Sequence, residues 1–161
     1  MPEHLALSLE QAVREEFVRL QAISEREAGV KAAPGRWSQK EELGHLVDSA
    51  ANNHIRFVRA SIEPNFRGPG YQQDGWVSTH GYQDMPWADL LDFWNRYNIF
   101  LARLIRRIPE NLMERKCVVG ESQPVTLQFL IEDYILHMQH HLDHVLKRET
   151  LTQYPGAAVG V

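Results

Sequence analysis

Four histidines lie within eight residues near the end of the chain: His137, His140, His141 and His144. They form two pairs, His137 with His141 and His140 with His144, whose members are four residues apart. On a helix such side chains lie one turn from each other, so the two imidazoles of a pair can bind one metal ion. The ordinary alternative is a histidine-rich helix edge that is simply solvated.

The surrounding periodicity favours one of the two pairs. Apolar residues recur with helical spacing and predict a helix over about residues 126–148. His141 falls inside the apolar arc of this helix and His137 lies at its edge, whereas His140 and His144 point further towards solvent. We therefore expect His137 and His141 to supply two metal ligands.

A second helix carries the other candidate ligands. Ser38 followed by Glu41 forms a capping box, which predicts a helix start, and the helix should end before Pro64. His54 falls on its apolar stripe, where a hydrogen-bonded core histidine is the usual outcome. His45 lies on the opposite, polar face. Taken alone, this position indicates a solvated histidine, and His45 is a ligand only if the polar face lines a wet pocket.

The same polar face carries Asp48, Asn52 and Arg56. Asp48 lies three residues after His45 and either accepts a hydrogen bond beside the site, holds its helix in register, or is an exposed helix acid. Arg56, like Asn52, lies further along. If the pocket opens there, Arg56 could bind a carboxylate of a substrate or thiol. A surface ion pair with Glu63 or Asp48 is the slightly favoured alternative.

The elements that must position these residues are helices. A long stretch with two prolines, four glycines, Tyr71 and Trp76 joins the second helix to the third, and loops of this length are often functional. Trp76 either closes a pocket mouth or pins this loop to the bundle. Four helices of roughly 20 residues favour an all-α bundle. The four predicted helices span about residues 8–27, 38–63, 86–108 and 126–148.

Composition excludes several classes of protein. The 161 residues with 43% hydrophobic content predict one globular domain over 1–150, followed by a loosely held tail over 151–161. No long apolar run or signal peptide is visible, so we expect a cytoplasmic protein without a membrane partner. The net charge of −4 argues against nucleic acid. The single cysteine, Cys117, fits a reducing compartment, and we expect it to be a buried hydrophobe rather than a catalytic nucleophile.

Two segments carry a resemblance to a known family. RWSQKEELGHLVDSAANNHIRFVRA and PVTLQFLIEDYILHMQHHLDHVLK are similar to the DinB-like superfamily, and most similar to its branch of bacillithiol-transferase-like proteins, also described as metal-dependent hydrolases. The shared features are a Trp-Ser start, His-Leu-x-Asp and Ile-Arg-Phe in the second helix, and a late His-x-x-x-His. The resemblance covers about residues 30–148.

The resemblance implies a four-helix bundle in up-down-down-up order, with a long crossover between helices two and three. It implies His45, His137 and His141 as ligands of one divalent metal, zinc or nickel, and a homodimer. It further implies an enzyme that joins a low-molecular-weight thiol to a small-molecule electrophile. A hydrolase that uses metal-activated water and a non-catalytic metal-binding bundle are the alternatives, since three histidines and an open position suit either chemistry. Asp48, Asn52, Arg56 and Trp76 are then candidates for contacts around the metal or the substrate.

Overall fold

The computed structural model describes residues 1–149, 152 and 154 of the chain. Four long helices dominate it, joined by two short helices and two single 3-10 turns at 82–84 and 110–112. The predicted tail over 151–161 lies outside the described residues, apart from Thr152 and Tyr154. The helices are α1 (Pro2–Leu20), α2 (Glu25–Ala28), α3 (Gln39–Ile62), α4 (Gln73–His80), α5 (Trp87–Arg107) and α6 (Leu127–Val145).

Contacts at one end of the bundle fix the helix directions. Glu25 accepts hydrogen bonds from Lys40 at the start of α3 and from the backbone N–H of Trp87 at the start of α5, so these two helices run the same way. Gln39 donates to the carbonyl of Val145, which places the end of α6 beside the start of α3. The indole of Trp87 reaches the carbonyl of Leu20, so α1 also ends here. The order is therefore up-down-down-up, as the resemblance implied.

The crossover between α3 and α5 is structured. It contains β1 (Phe66–Gly68), α4 and the 3-10 turn, and β1 pairs in parallel with β2 (Lys116–Val119). β2 in turn pairs antiparallel with β3 (Val125–Thr126), immediately before α6. This small sheet closes one end of the bundle, where Phe66 and Cys117 are buried, and it holds the crossover against α3.

The first helix differs from its prediction. It begins at Pro2 and ends at Leu20, whereas the sequence predicted a helix over about residues 8–27. Ser8 lies inside the helix, because proline in the first turn is itself a helix start and the apolar pattern extends back to Leu5. The start of α3 is as predicted: Ser38 and Glu41 make both hydrogen bonds of a capping box.

No helix of the described residues is both long enough and apolar enough to cross a membrane.

Candidate metal centre

Three histidines from two antiparallel helices meet at one point of the bundle. His45 of α3 faces His137 and His141 of α6, and all three offer a ring nitrogen within 4.8 Å of the others. The Nε2 atoms of His45 and His137 are 3.3 Å apart. The ring centroids of the three pairs are 4.5 to 5.1 Å apart. The structure therefore brings together the three residues that the family resemblance implied as ligands.

The depths of these residues differ from the sequence prediction. His45 is fully buried, although its position on the polar face of α3 indicated solvation. The reason is that α6 packs over this face, with His137 opposite His45. The two histidines of α6 are also reversed in depth: His137 is 3% exposed, whereas the side chain of His141 is 18% exposed.

Burial keeps the two inner histidines uncharged. Loss of hydration lowers the pKa of His45 to about 3, helped by the charge of His141. The same loss, with the charges of His141, His45 and His140, lowers the pKa of His137 to about 2. At neutral pH both rings are therefore neutral and keep one nitrogen lone pair each, which is the form that binds a metal.

Two polar side chains on α3 orient the histidines of α6. The Nδ1 of His141 lies 2.8 Å from Oε1 of Glu42, and the Nδ1 of His137 lies 3.5 Å from the hydroxyl of Ser49. A carboxylate can only accept, so Nδ1 of His141 carries a proton, and in the neutral form of this ring the lone pair is on Nε2. Burial raises the pKa of Glu42, but hydrogen bonds and charges from His141 and His144 outweigh it and hold the pKa below its ordinary value.

The donor set fits a divalent metal of the zinc class. Zinc–nitrogen bonds of about 2.0–2.1 Å in a tetrahedron place neighbouring ligand nitrogens about 3.3 Å apart, which is the separation of the two Nε2 atoms of His45 and His137. Neutral imidazoles whose second nitrogen bonds to a carboxylate are the usual surroundings of such an ion. Three protein ligands leave a further coordination position free, as in catalytic rather than structural zinc sites.

Asp48 belongs to a different contact from those expected. It is buried, which excludes an exposed helix acid, and it accepts hydrogen bonds from the Tyr82 hydroxyl at 2.7 Å and from Nδ1 of His80 at 2.9 Å. Burial raises the pKa of Asp48, while the hydrogen bonds from these two residues lower it. The Tyr82 ring approaches because residue 44 is glycine: a Cβ there would lie 2.1 Å from that ring.

The other three candidates are spread along the same helix and the crossover. Asn52 is half-buried and donates to the backbone carbonyl of Asp48 at 2.9 Å. Arg56 is buried and donates to the carbonyl of Pro69 at 3.4 Å. The predicted surface ion pair of Arg56 with Glu63 or Asp48 is therefore wrong, and Glu63 pairs with Arg59.

Trp76 lies on α4, where its ring is 5.3 Å from that of Tyr71 and 5.7 Å from that of His80. Trp76 thus packs against other residues of the crossover, one of which, His80, contacts Asp48.

Access to the histidines comes from the exposed edge of His141. Glu42 and His144, which both neighbour His141, line a groove of about 630 Å³. The ring of Trp37 in the groove wall lies 5.1 Å from that of His45, and none of the three histidines lines the groove itself. Tyr154 borders the opposite side, with its ring 5.6 Å from His137. The groove is lined by Val30, Ala32, Gly35, Arg36, Trp37, Gln39, Glu42, Asp74, His144, Val145 and Lys147.

Cys117 lies away from this site, in β2. It is fully buried, and loss of hydration raises its pKa to about 11, so it is an inert thiol at neutral pH. Its Sγ donates to the carbonyl oxygen of Arg115 at 3.6 Å. These properties are those of the small buried hydrophobe that the sequence predicted.

Glu42, Ser49 and His80 were not found by sequence reasoning. Glu42 lies three residues before His45 and Ser49 four after it, so helical spacing alone places both beside that histidine. That signal was available. No such sequence signal existed for His80, because it lies in the crossover and approaches Asp48 only through the turn at Gly81, whose φ is +64°.

Comparison with known proteins agrees with this architecture. The chain is 28% identical over 111 residues to a protein of Oceanobacillus iheyensis that is named as a candidate metal-dependent hydrolase, a match covering 69% of this chain and 64% of the relative. The chain thus spans slightly under two thirds of that relative's length. YfiT from Bacillus subtilis, described as a candidate metal-dependent hydrolase with an unusual four-helix bundle topology, has the same fold with a TM-score of 0.77 at 18% identity, over 91% of this chain and 84% of YfiT. Residues 8–145 match the model of the DinB superfamily, and the chain belongs to that superfamily.

Proposed function

We propose that this protein is a metal-dependent enzyme in which His45, His137 and His141 hold one divalent ion, zinc or nickel. The observation that carries the proposal is the convergence of three ring nitrogens within 4.8 Å, two of them on buried neutral imidazoles. Such an ion acts as a Lewis acid and lowers the pKa of a water or thiol that it coordinates. The names of the similar proteins describe both as candidate metal-dependent hydrolases, which supports the same class.

The protein's own residues prepare the site for that chemistry. Glu42 holds the His141 ring through Nδ1, and Ser49 lies against Nδ1 of His137, so both rings present Nε2 to the common centre. The bundle excludes water from His45 and His137. The groove lined by Trp37, Glu42 and His144 adjoins residues that contact His45 and His141, and it is the proposed approach for a small molecule.

Within this class we propose thiol transfer as the reaction: a low-molecular-weight thiol adds to an electrophile. The support is the resemblance of residues 30–148 to bacillithiol-transferase-like proteins, together with the inert state of Cys117, which leaves the nucleophile to be supplied by a second small molecule. Hydrolysis is the second candidate, because both similar proteins are described as hydrolases.

One pair of assays separates the two reactions. Untagged protein loaded with zinc or with nickel is given 1-chloro-2,4-dinitrobenzene with glutathione or cysteine, and in parallel 4-nitrophenyl acetate without thiol. Thiol-dependent turnover that disappears in His45→Ala supports transfer. Ester hydrolysis without thiol, lost in the same variant, supports hydrolysis instead. Turnover that persists in His45→Ala, or none with either metal, contradicts the proposed enzyme.

We also propose that the protein forms a homodimer. Phe129 and Leu136 lie one above the other on the outer side of α6 and are partly exposed, as apolar residues at subunit contacts are. Light scattering of the full chain tests this. A mass near twice 18.6 kDa that falls to the monomer value in Phe129→Glu is expected, and a monomeric wild type contradicts the proposal.

A further inference from the structure

A carboxylate–imidazole pair lies one helical turn beyond His45 and outside the three-histidine cluster. Asp48 is 1% exposed, and its Oδ1 is 2.9 Å from Nδ1 of His80. The side chain of His80 is 47% exposed. The pair therefore joins a buried acid to an imidazole that reaches the surface.

Several features of the crossover build this contact. His80 is the last residue of α4, and Gly81 turns the chain with a φ of +64°, so His80 and Tyr82 approach the same carboxylate. Tyr82 donates to Asp48 at 2.7 Å, and its ring fits against α3 only because residue 44 has no side chain. A buried carboxylate is costly unless it is hydrogen-bonded. Both donors act on Oδ1 of Asp48 and lower its pKa, but burial outweighs them and leaves the pKa above its ordinary value.

The contact fixes which nitrogen of His80 is reactive. The carboxylate of Asp48 accepts hydrogen bonds only, so Nδ1 of His80 carries a proton, and in the neutral form of the ring the lone pair is on Nε2. A buried carboxylate that holds a histidine in this tautomer is the arrangement by which hydrolytic triads prepare a general base. Next to His80 lies a cavity of about 390 Å³, lined by Gln72, Gly75, Trp76, Thr79 and His80.

A series of side-chain contacts leads from His80 towards the three histidines. The Trp76 ring is 5.7 Å from His80 and 5.3 Å from Tyr71. The hydroxyl of Tyr71 lies beside Ser49, whose own hydroxyl is 3.5 Å from Nδ1 of His137. Neighbouring side chains of Trp76, Tyr71 and Ser49 thus connect His80 with His137.

We propose that His80 is the acid–base residue of this enzyme and that Asp48 is its positioning residue, an inference that rests on the proposed metal-dependent reaction. The Nε2 lone pair of His80 takes the proton of the attacking S–H or O–H group, and the electron pair so released forms the bond to the electrophilic carbon. Asp48 balances the imidazolium charge. The proton then passes from Nε2 to a basic leaving group as its bond breaks, or to solvent water where the leaving group departs as a stable anion such as chloride, and either route returns His80 to the neutral form.

The test compares zinc-loaded wild type with His80→Gln, Asp48→Asn and the control His54→Gln. His54 is a half-buried histidine of α3 that contacts Tyr97 instead of this site. Bound zinc, kcat and KM are measured with 4-nitrophenyl acetate and with glutathione plus 1-chloro-2,4-dinitrobenzene. We expect kcat to fall about 100-fold or more in His80→Gln and Asp48→Asn, with KM and bound zinc unchanged, and to be unaffected in His54→Gln. An undiminished kcat in His80→Gln overturns the inference.

A second measurement does not depend on turnover. In ¹⁵N NMR of the zinc-loaded protein at pH 8, His80 should show a protonated Nδ1 and a bare Nε2, and Asp48→Asn should transfer population to the other tautomer. A wild-type His80 protonated at Nε2 overturns the inference. Absence of turnover from zinc-loaded wild type with both probes contradicts the proposed function. In that case the tautomer of His80 alone tests whether Asp48 positions the His80 ring.

Discussion

Replacement of Glu42 by glutamine should weaken metal binding without disturbing the fold. Oε1 of Glu42 lies 2.8 Å from Nδ1 of His141 and 3.3 Å from Nδ1 of His144. Glutamine keeps an acceptor oxygen but loses the charge. A hydrogen bond to a charged group contributes about 1.5–3 kcal/mol and a neutral one about 0.5–1.5 kcal/mol, so about 1–1.5 kcal/mol is lost. That loss corresponds to roughly a tenfold rise in the Kd for zinc.

The assay is a competition titration of untagged protein with zinc and a chromophoric chelator. Glu42→Ala, which removes the acceptor as well, should raise the Kd up to about 100-fold. The matched control is Glu41→Gln. Glu41 is the neighbouring acid, but it caps α3 at Ser38 and pairs with Lys31, and glutamine retains the cap. An unchanged Kd in Glu42→Gln, or an equal rise in Glu41→Gln, would refute the reasoning.

Three further predictions concern stability and reactivity. Burial lowers the pKa of His45 to about 3 and of His137 to about 2, so below about pH 6.5 the unfolded chain binds up to two more protons than the folded protein. The free energy of unfolding of the metal-free protein should therefore fall as pH falls, by up to about 2.7 kcal/mol per pH unit. Urea unfolding at pH 7, 6 and 5 checks this, and a flat profile contradicts it. Gly44→Ala should destabilise by about 1–3 kcal/mol in spite of alanine's helix propensity, since its Cβ would strike the Tyr82 ring, and should be harmless in a Tyr82→Ala background. Cys117→Ala should keep full turnover, and native Cys117 should react with thiol reagents only on unfolding; rapid labelling of the folded protein would show that it is not buried.

The long helices were predictable because their signals are local. The capping box at Ser38 and the apolar spacing of α6 depend on residues within one or two turns of each other. The three-stranded sheet was not predictable from such patterns, because its strands contain two to four residues and show no period. The pairing of Phe66 with Cys117 joins positions about 50 residues apart and becomes visible only when the bundle has formed.

The candidate site shows the same division. The spacing of His137 and His141 predicted a pair of candidate ligands, which the structure brings together, but the helical wheel placed His45 on a polar and therefore solvated face. A wheel assumes one buried face for each helix, whereas α3 is covered by α6 on one side and by the crossover on the other. The polar face of α3 is therefore enclosed inside the protein, where His45 meets His137 and His141. Only the family resemblance pointed to His45.

Metal content tests the central claim most directly. Untagged wild type, His45→Ala and His140→Ala are reconstituted with zinc or nickel, desalted and analysed by elemental mass spectrometry, with circular dichroism as a check on folding. We expect about one ion per chain in the wild type and in His140→Ala, whose histidine is outside the three-nitrogen cluster, and none in folded His45→Ala. Retention of the ion by His45→Ala, or a metal-free wild type after reconstitution with either metal, would contradict a centre built on His45, His137 and His141.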